Sequence, residues 1–146
     1  PLLLEIISEA VVGRGEASLA WTHELSAPDV SQILGVRVGQ SDCRLRMEGN
    51  APHADITLEA DLWCLGTDGT TVLSTHSQAV QEVSVPLRGT LVGEPSYHLR
   101  LVGAPRATGV RVEGETIHID FAATVAVEAR ALTRYWVRAE DHVPEA

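Results

Sequence analysis

From Gly109 to Arg138 the chain alternates apolar and polar positions with a period of two. Val110 and Val112 alternate with Arg111 and Glu113, and Gly114 turns the chain. Ile117, Ile119 and Phe121 then alternate with His118, Asp120 and Ala122, and Val125 and Val127 continue the row. Such alternation predicts half-buried antiparallel strands rather than helices. It recurs over Glu16–Leu25, with Ala17, Leu19, Trp21, His23 and Leu25 on one face, and over Asp55–Leu65, with Ile56, Leu58, Ala60, Leu62 and Cys64 on one face and Trp63 on the other. Thr67-Asp68-Gly69 is a turn signal that joins the latter to Thr71–Val85 as a β-hairpin. Shorter strands are expected around Val36–Val38, Cys43–Met47 and Tyr97–Leu101. Leu2–Val12 fits either a short amphipathic helix over Leu3–Ala10 or a strand, in both cases broken by Gly13 and Gly15, and Val30–Leu34 reads as a single helical turn. The pattern as a whole predicts an all-β protein, an antiparallel β-sandwich or distorted barrel of about eight to ten strands. One β-domain over residues 1–139 is expected, followed by a loose acidic tail, 140–146.

Composition narrows the function more than the fold. The 146 residues are 45% hydrophobic but only 4% aromatic, so the core must be built from Val, Leu, Ile and Ala, which suits pleated sheets. A net charge of −9 leaves no basic footprint for nucleic acid and no attraction to anionic membranes. No apolar run reaches the length of a membrane span, so no membrane insertion is expected. Cys43 and Cys64 fit no metal-ligand spacing and are read as two small residues in or near strands of a protein kept reduced, in preference to a disulfide.

Candidate chemistry is sparse. The six histidines, His23, His53, His76, His98, His118 and His142, form no local ligand motif, although distant strands could bring His76 and His118 together. No nucleophile elbow, phosphate loop or dinucleotide fingerprint occurs. Glu113, Glu115 and Asp120 cluster about a hairpin turn, where solvated charge is the simplest account. The expectation is a protein that is not an enzyme and has no cofactor and no metal site. Trp63 and Trp136 fall off the main apolar alternation; they are read as core between covered faces, as a subunit interface, or as a platform for sugars. Arg130, Arg134 and Arg138 share one strand face, either to pair with carboxylates on a neighbouring strand or another subunit or to form a solvated charged face that blunts an edge.

The opening Glu5-Ile6-Ile7-Ser8-Glu9-Ala10-Val11-Val12-Gly13-Arg14-Gly15 resembles the E-I-I-x-x-A-V-V-x-x-G start of the spore outer coat morphogenetic protein E (CotE) family, or a related endospore coat-assembly domain. Ser31-Gln32-Ile33-Leu34-Gly35 is similar to that family's S-x-I-L-G segment, Asp61 stands shortly before Trp63 as in the family, and Thr108–Val137 matches in hydrophobic pattern alone. The resemblance implies a non-enzymatic morphogenetic scaffold that self-associates into a homo-oligomer or polymer on the forespore, assembled from the mother-cell cytoplasm, and to which other spore coat proteins attach. Family members carry a long, strongly acidic C-terminal tail, which the last residues of this sequence do not match. Long strands with open edges give such assembly a mechanism, because edge pairing between subunits satisfies backbone groups. The candidate self-assembly residues are Leu3, Leu4, Ile6, Ile7, Val11, Val12, Trp63 and Trp136. The rival expectation is a carbohydrate- or ligand-binding β-sandwich module with Trp63 or Trp136 as its platform.

Overall fold

The structure is a computed structural model that describes residues 2–139. Seven strands follow one another: β1 (Leu2–Ser26), β2 (Val30–Glu48), β3 (Ala51–Gly66), β4 (Val72–Ser84), β5 (Ser96–Leu101), β6 (Arg106–Glu113) and β7 (Thr116–Ala139). All pairings are antiparallel and lie in two sheets. In one sheet β7 is central, with β1 along one edge and β5 and β6 end to end along the other. In the second sheet the order is β2-β3-β4. The sheets face each other as a β-sandwich, with β1 beside β4 on one flank and β2 beside β5 and β6 on the other.

The all-β antiparallel expectation is met, with fewer and longer strands than the eight to ten anticipated and no closure into a barrel. Two differences have a physical cause. Gly13 and Gly15 do not end β1: β7 supplies a continuous ladder from Leu2↔Ala139 to Ser26↔Thr116, and the strand absorbs one irregularity between Val11 and Gly13 as a bulge. The helical turn expected at Val30–Leu34 is strand, because Val30, Gln32 and Ile33 pair with Gly66, Leu65 and Cys64 at the end of β3. In both places long-range pairing outweighs local preference. The tail, 140–146, lies outside the described residues.

The core follows the alternation. Ile56, Leu58 and Leu62 of β3 and Ile117, Phe121 and Val125 of β7 are fully buried. Each central strand sends every second side chain inward, between the layers. Among the described residues no polar or charged residue is buried. Trp21 packs on Phe121 with ring centroids 5.5 Å apart. The β1–β4 flank is tied by His23 Nε2 and Ser77 Oγ, 2.8 Å apart. The β3–β4 turn is held by Asp68, whose carboxylate accepts from the Thr70 and Thr71 amides at 2.9 and 2.8 Å and from the Thr71 hydroxyl. These three donors, the Thr71 hydroxyl foremost, pull the Asp68 carboxyl down to about 2.

Between β4 and β5 the chain forms a strap that ends the core. Val85 is fully buried, and Arg14 and Arg88 exchange backbone hydrogen bonds of 2.9 and 2.7 Å along the β1 edge. Close approach is why glycine stands here. A Cβ on Gly15 would lie 2.3 Å from the Pro86 carbonyl oxygen, and one on Gly13 would lie 2.8 Å from Leu91. The glycines read as strand breaks are thus the places where the strap crosses.

Candidate assembly surface

Beyond the strap, β1 and β7 continue together, and among the described residues no third strand pairs with them there. β5 pairs with β7 only as far as Ser96↔Arg130, whereas β1 stays paired with β7 out to Leu2↔Ala139. The result is a two-stranded ribbon, Leu2–Val11 against Arg130–Ala139, projecting from the body. A two-stranded ribbon alone is marginal in water.

Both ribbon faces carry apolar side chains. On the face continuous with the sandwich interior, Leu4 lies opposite Val137, Ile6 opposite Tyr135, Ser8 opposite Thr133 and Ala10 opposite Ala131. The Thr133 hydroxyl donates to the Ser8 carbonyl at 3.2 Å. On the outer face apolar and charged residues form a checkerboard: Leu3 opposite Arg138, Glu5 opposite Trp136, Ile7 opposite Arg134, Glu9 opposite Leu132 and Val11 opposite Arg130. The charges meet diagonally. Arg134 Nη1 is 3.3 Å from Glu5 Oε1, and Arg130 Nη1 is 3.8 Å from Glu9 Oε1. Two of the three arginines of the row thus meet carboxylates of β1, while Arg138 lies opposite Leu3. Arg130 also donates to Glu128 at 2.9 Å; this contact, aided by Arg14 and Arg100, holds the Glu128 carboxyl below its ordinary value.

Of the residues singled out from sequence, Leu3, Leu4, Ile7, Val11 and Trp136 are exposed on this ribbon, while Ile6 is half-buried on its inner face and Val12 is half-buried in the bulge at its base. Trp136 is 65% exposed. Trp63 is elsewhere: it sits on the outer face of β3 in the other sheet, with the Arg37 guanidinium 5.9 Å from its ring centroid. The ribbon also exposes Leu2, Leu132, Tyr135 and Val137, with Leu132 at 73%. Leu2 belongs to the apolar run Leu2–Val12 that the sequence brought out, whereas Leu132, Tyr135 and Val137 were passed by. The signal for Tyr135 and Val137 is Tyr135-Trp136-Val137, three large side chains in succession, which leaves apolar surface on both sides of a strand.

The remaining charged clusters lie on outer faces. Asp61 joins His76 (Nδ1, 2.8 Å) and Arg37 (2.9 Å). The His76 hydrogen bond, then Arg37, holds the Asp61 carboxyl below its ordinary value, and Asp61 in turn raises His76. His118 contacts Glu24 at 3.1 Å and Glu113 at 3.4 Å. His76 and His118 are on different sheets and do not meet. Among the described residues no group of three or more His, Cys, Asp or Glu side chains is arranged to hold a metal ion. Cys43 pairs with Ile56 and Cys64 with Ile33, so the two thiols stand far apart along β3, on the order of 27 Å, and both are free. Burial pushes each thiol up from its ordinary value. An open groove of about 610 Å³ between the strap and the outer side of β7 is lined by Arg14, Arg88, Arg100, Glu16 and Glu128 and has no aromatic wall. Among the described residues no helix is long and apolar enough to cross a membrane.

The arrangement defines an antiparallel β-sandwich with a projecting, amphipathic ribbon. No protein-family model, curated protein or solved structure is significantly similar to the chain.

Proposed function

We propose that this chain is a non-enzymatic structural β-domain that self-assembles through β-strand and N-terminal-segment contacts. The product is a layer, cage or filament of the spore-coat type, which scaffolds other coat proteins. The observation that supports this reading is the ribbon. It carries Leu3, Ile7, Leu132 and Trp136 exposed on one face and Leu4, Tyr135 and Val137 on the other. Exposed apolar surface of this kind on a strand pair supports a contact with another polypeptide. The sequence contains no lysine, the residue most used to blunt exposed sheet edges.

The carbohydrate-binding alternative has less support. Trp63 is partly covered by Arg37, and the groove on the body has no aromatic wall against which a sugar ring could stack. Negative-stain electron microscopy and light scattering over a concentration series test the proposal. Large assemblies are expected for the native chain, and loss of them for a variant carrying Leu3→Ser, Ile7→Ser and Leu132→Ser. A monodisperse monomer at high concentration sinks self-assembly and returns Trp136 to glycan screens.

A further inference from the structure

Resting on the self-assembly reading, we infer that the ribbon's contact is with a second copy of this chain and is two-fold symmetric. β7 of one copy pairs antiparallel with β7 of the other over Ala131–Ala139. Beyond Ser96↔Arg130 no described strand lies along this edge of β7, so its backbone groups there are open to pairing.

Direction selects this occupant. A second copy's β1 laid antiparallel on the β7 edge would bring its sandwich into the space that β5 and β6 fill. Turning the second copy over to bring its β1 alongside in the other direction flips its faces, separating its Glu5 and Glu9 from the arginines of the first. Antiparallel β7–β7 pairing instead sets the two sandwiches at opposite ends and keeps outer face with outer face.

Charge then selects the register. With Tyr135 opposite Tyr135 of the second copy, the whole free edge overlaps. Arg134 then lies against Trp136 of the second copy, and Leu132 against Arg138 of the second copy. A guanidinium over an indole is attractive. The two neighbouring registers that keep the faces matched set Arg134 opposite Arg134 or Arg138 of the second copy, and like charges directly opposite are destabilising. The contact turns two marginal ribbons into one sheet of order β1-β7-β7-β1, enough strands for independent stability. The pairing is closed, so a layer requires a further contact elsewhere on the body.

Two substitutions test the contact. Trp136→Arg faces Glu5 within its own chain, which favours the fold, but faces Arg134 across the dimer. It is expected to halve the mass of the smallest stable species in dilute solution, from twice 15.7 kDa to 15.7 kDa, with unchanged circular dichroism. Adding Arg134→Glu to it places opposite charges across the contact and restores the dimer. Independently, Tyr135→Cys lies on the symmetry axis, where opposed Cα atoms sit about 5 Å apart, within disulfide reach. Mild oxidation is expected to give a covalent dimer that the native chain, with its own Cys43 and Cys64, does not form. If Trp136→Arg keeps the native assembly size, or Tyr135→Cys does not cross-link, the β7 contact is overturned while self-assembly stands. If the native chain stops at the dimer at every concentration, the contact stands and the layer falls. A monomeric native chain overturns both.

Discussion

The same two strands have two different surroundings along their length. From Gly15 to Ser26, and from Thr116 to Val127, β1 and β7 close one face against the second sheet, and side chains such as Phe121 and Val125 reach full burial. From Leu2 to Val11, and from Arg130 to Ala139, the hydrogen-bonded ladder and the alternation continue, yet among the described residues Leu3, Leu132 and Trp136 meet no second layer. Period-two alternation specifies which face is apolar and not what covers it. The strap at Pro86–Leu91 marks the change, and the two glycines beneath it make the crossing possible.

The comparison breaks most visibly in the body. Phe121→Ala, which removes a fully buried ring in contact with Trp21, is expected to cost about 3–5 kcal/mol in denaturant unfolding. Next is the boundary. Gly15→Ala drives a Cβ into the Pro86 carbonyl oxygen, displaces the strap and costs roughly 1–3 kcal/mol by the same measurement. Leu132→Ser, at the exposed end, is expected to change the unfolding free energy of the isolated chain by no more than about 0.5 kcal/mol. The same substitution should lower the size of assemblies in light scattering. A loss of several kcal/mol from Leu132→Ser would mean that the ribbon is part of the body's core.

The smallest effect is electrostatic and belongs to the outer face of the second sheet. His76 is raised above its ordinary 6.5 by Asp61, so its contribution is fully present below that value and is lost as pH rises through the raised value. Asp61 is lowered below its ordinary 3.8, so its contribution is present above that value and is lost as pH falls through the lowered one. Stability from this exposed pair is therefore expected to be greatest between the two limits. His76→Gln should flatten that part of the stability profile in thermal melts at graded pH, and a profile identical to the native one would dismiss the pair as a contributor.

The strands of the body were readable because their alternation is strict. Ile56, Leu58, Ala60, Leu62 and Cys64 are inside, and Trp63 is outside, as the period requires. The β3–β4 hairpin was readable from Thr67-Asp68-Gly69, whose Asp68 carboxylate accepts the turn's amides. What escaped was set by partners distant in sequence. Gly13 and Gly15 have low strand preference, and only β7 keeps β1 extended through them. Val30–Leu34 has a local pattern compatible with a helical turn, and only the end of β3 fixes it as strand. The ribbon was half readable. Its β1 side stood out as an apolar run, whereas the exposure of Leu132 and Tyr135 depends on where β5 stops, at Ser96.

The pairing of the first strand with the last also governs when the fold can form. The β1 segment leaves the ribosome well before its ladder partner, which is synthesised more than a hundred residues later at the far end of the ribbon. Contacts of such sequence separation form slowly, because the long intervening loop must be closed first. Until β7 emerges, Leu2–Val12 is an unpaired apolar strand, the kind of segment that recruits other chains prematurely. Synthesis thus places a clock on association, since the surface offered to a neighbour is not complete until β7 exists.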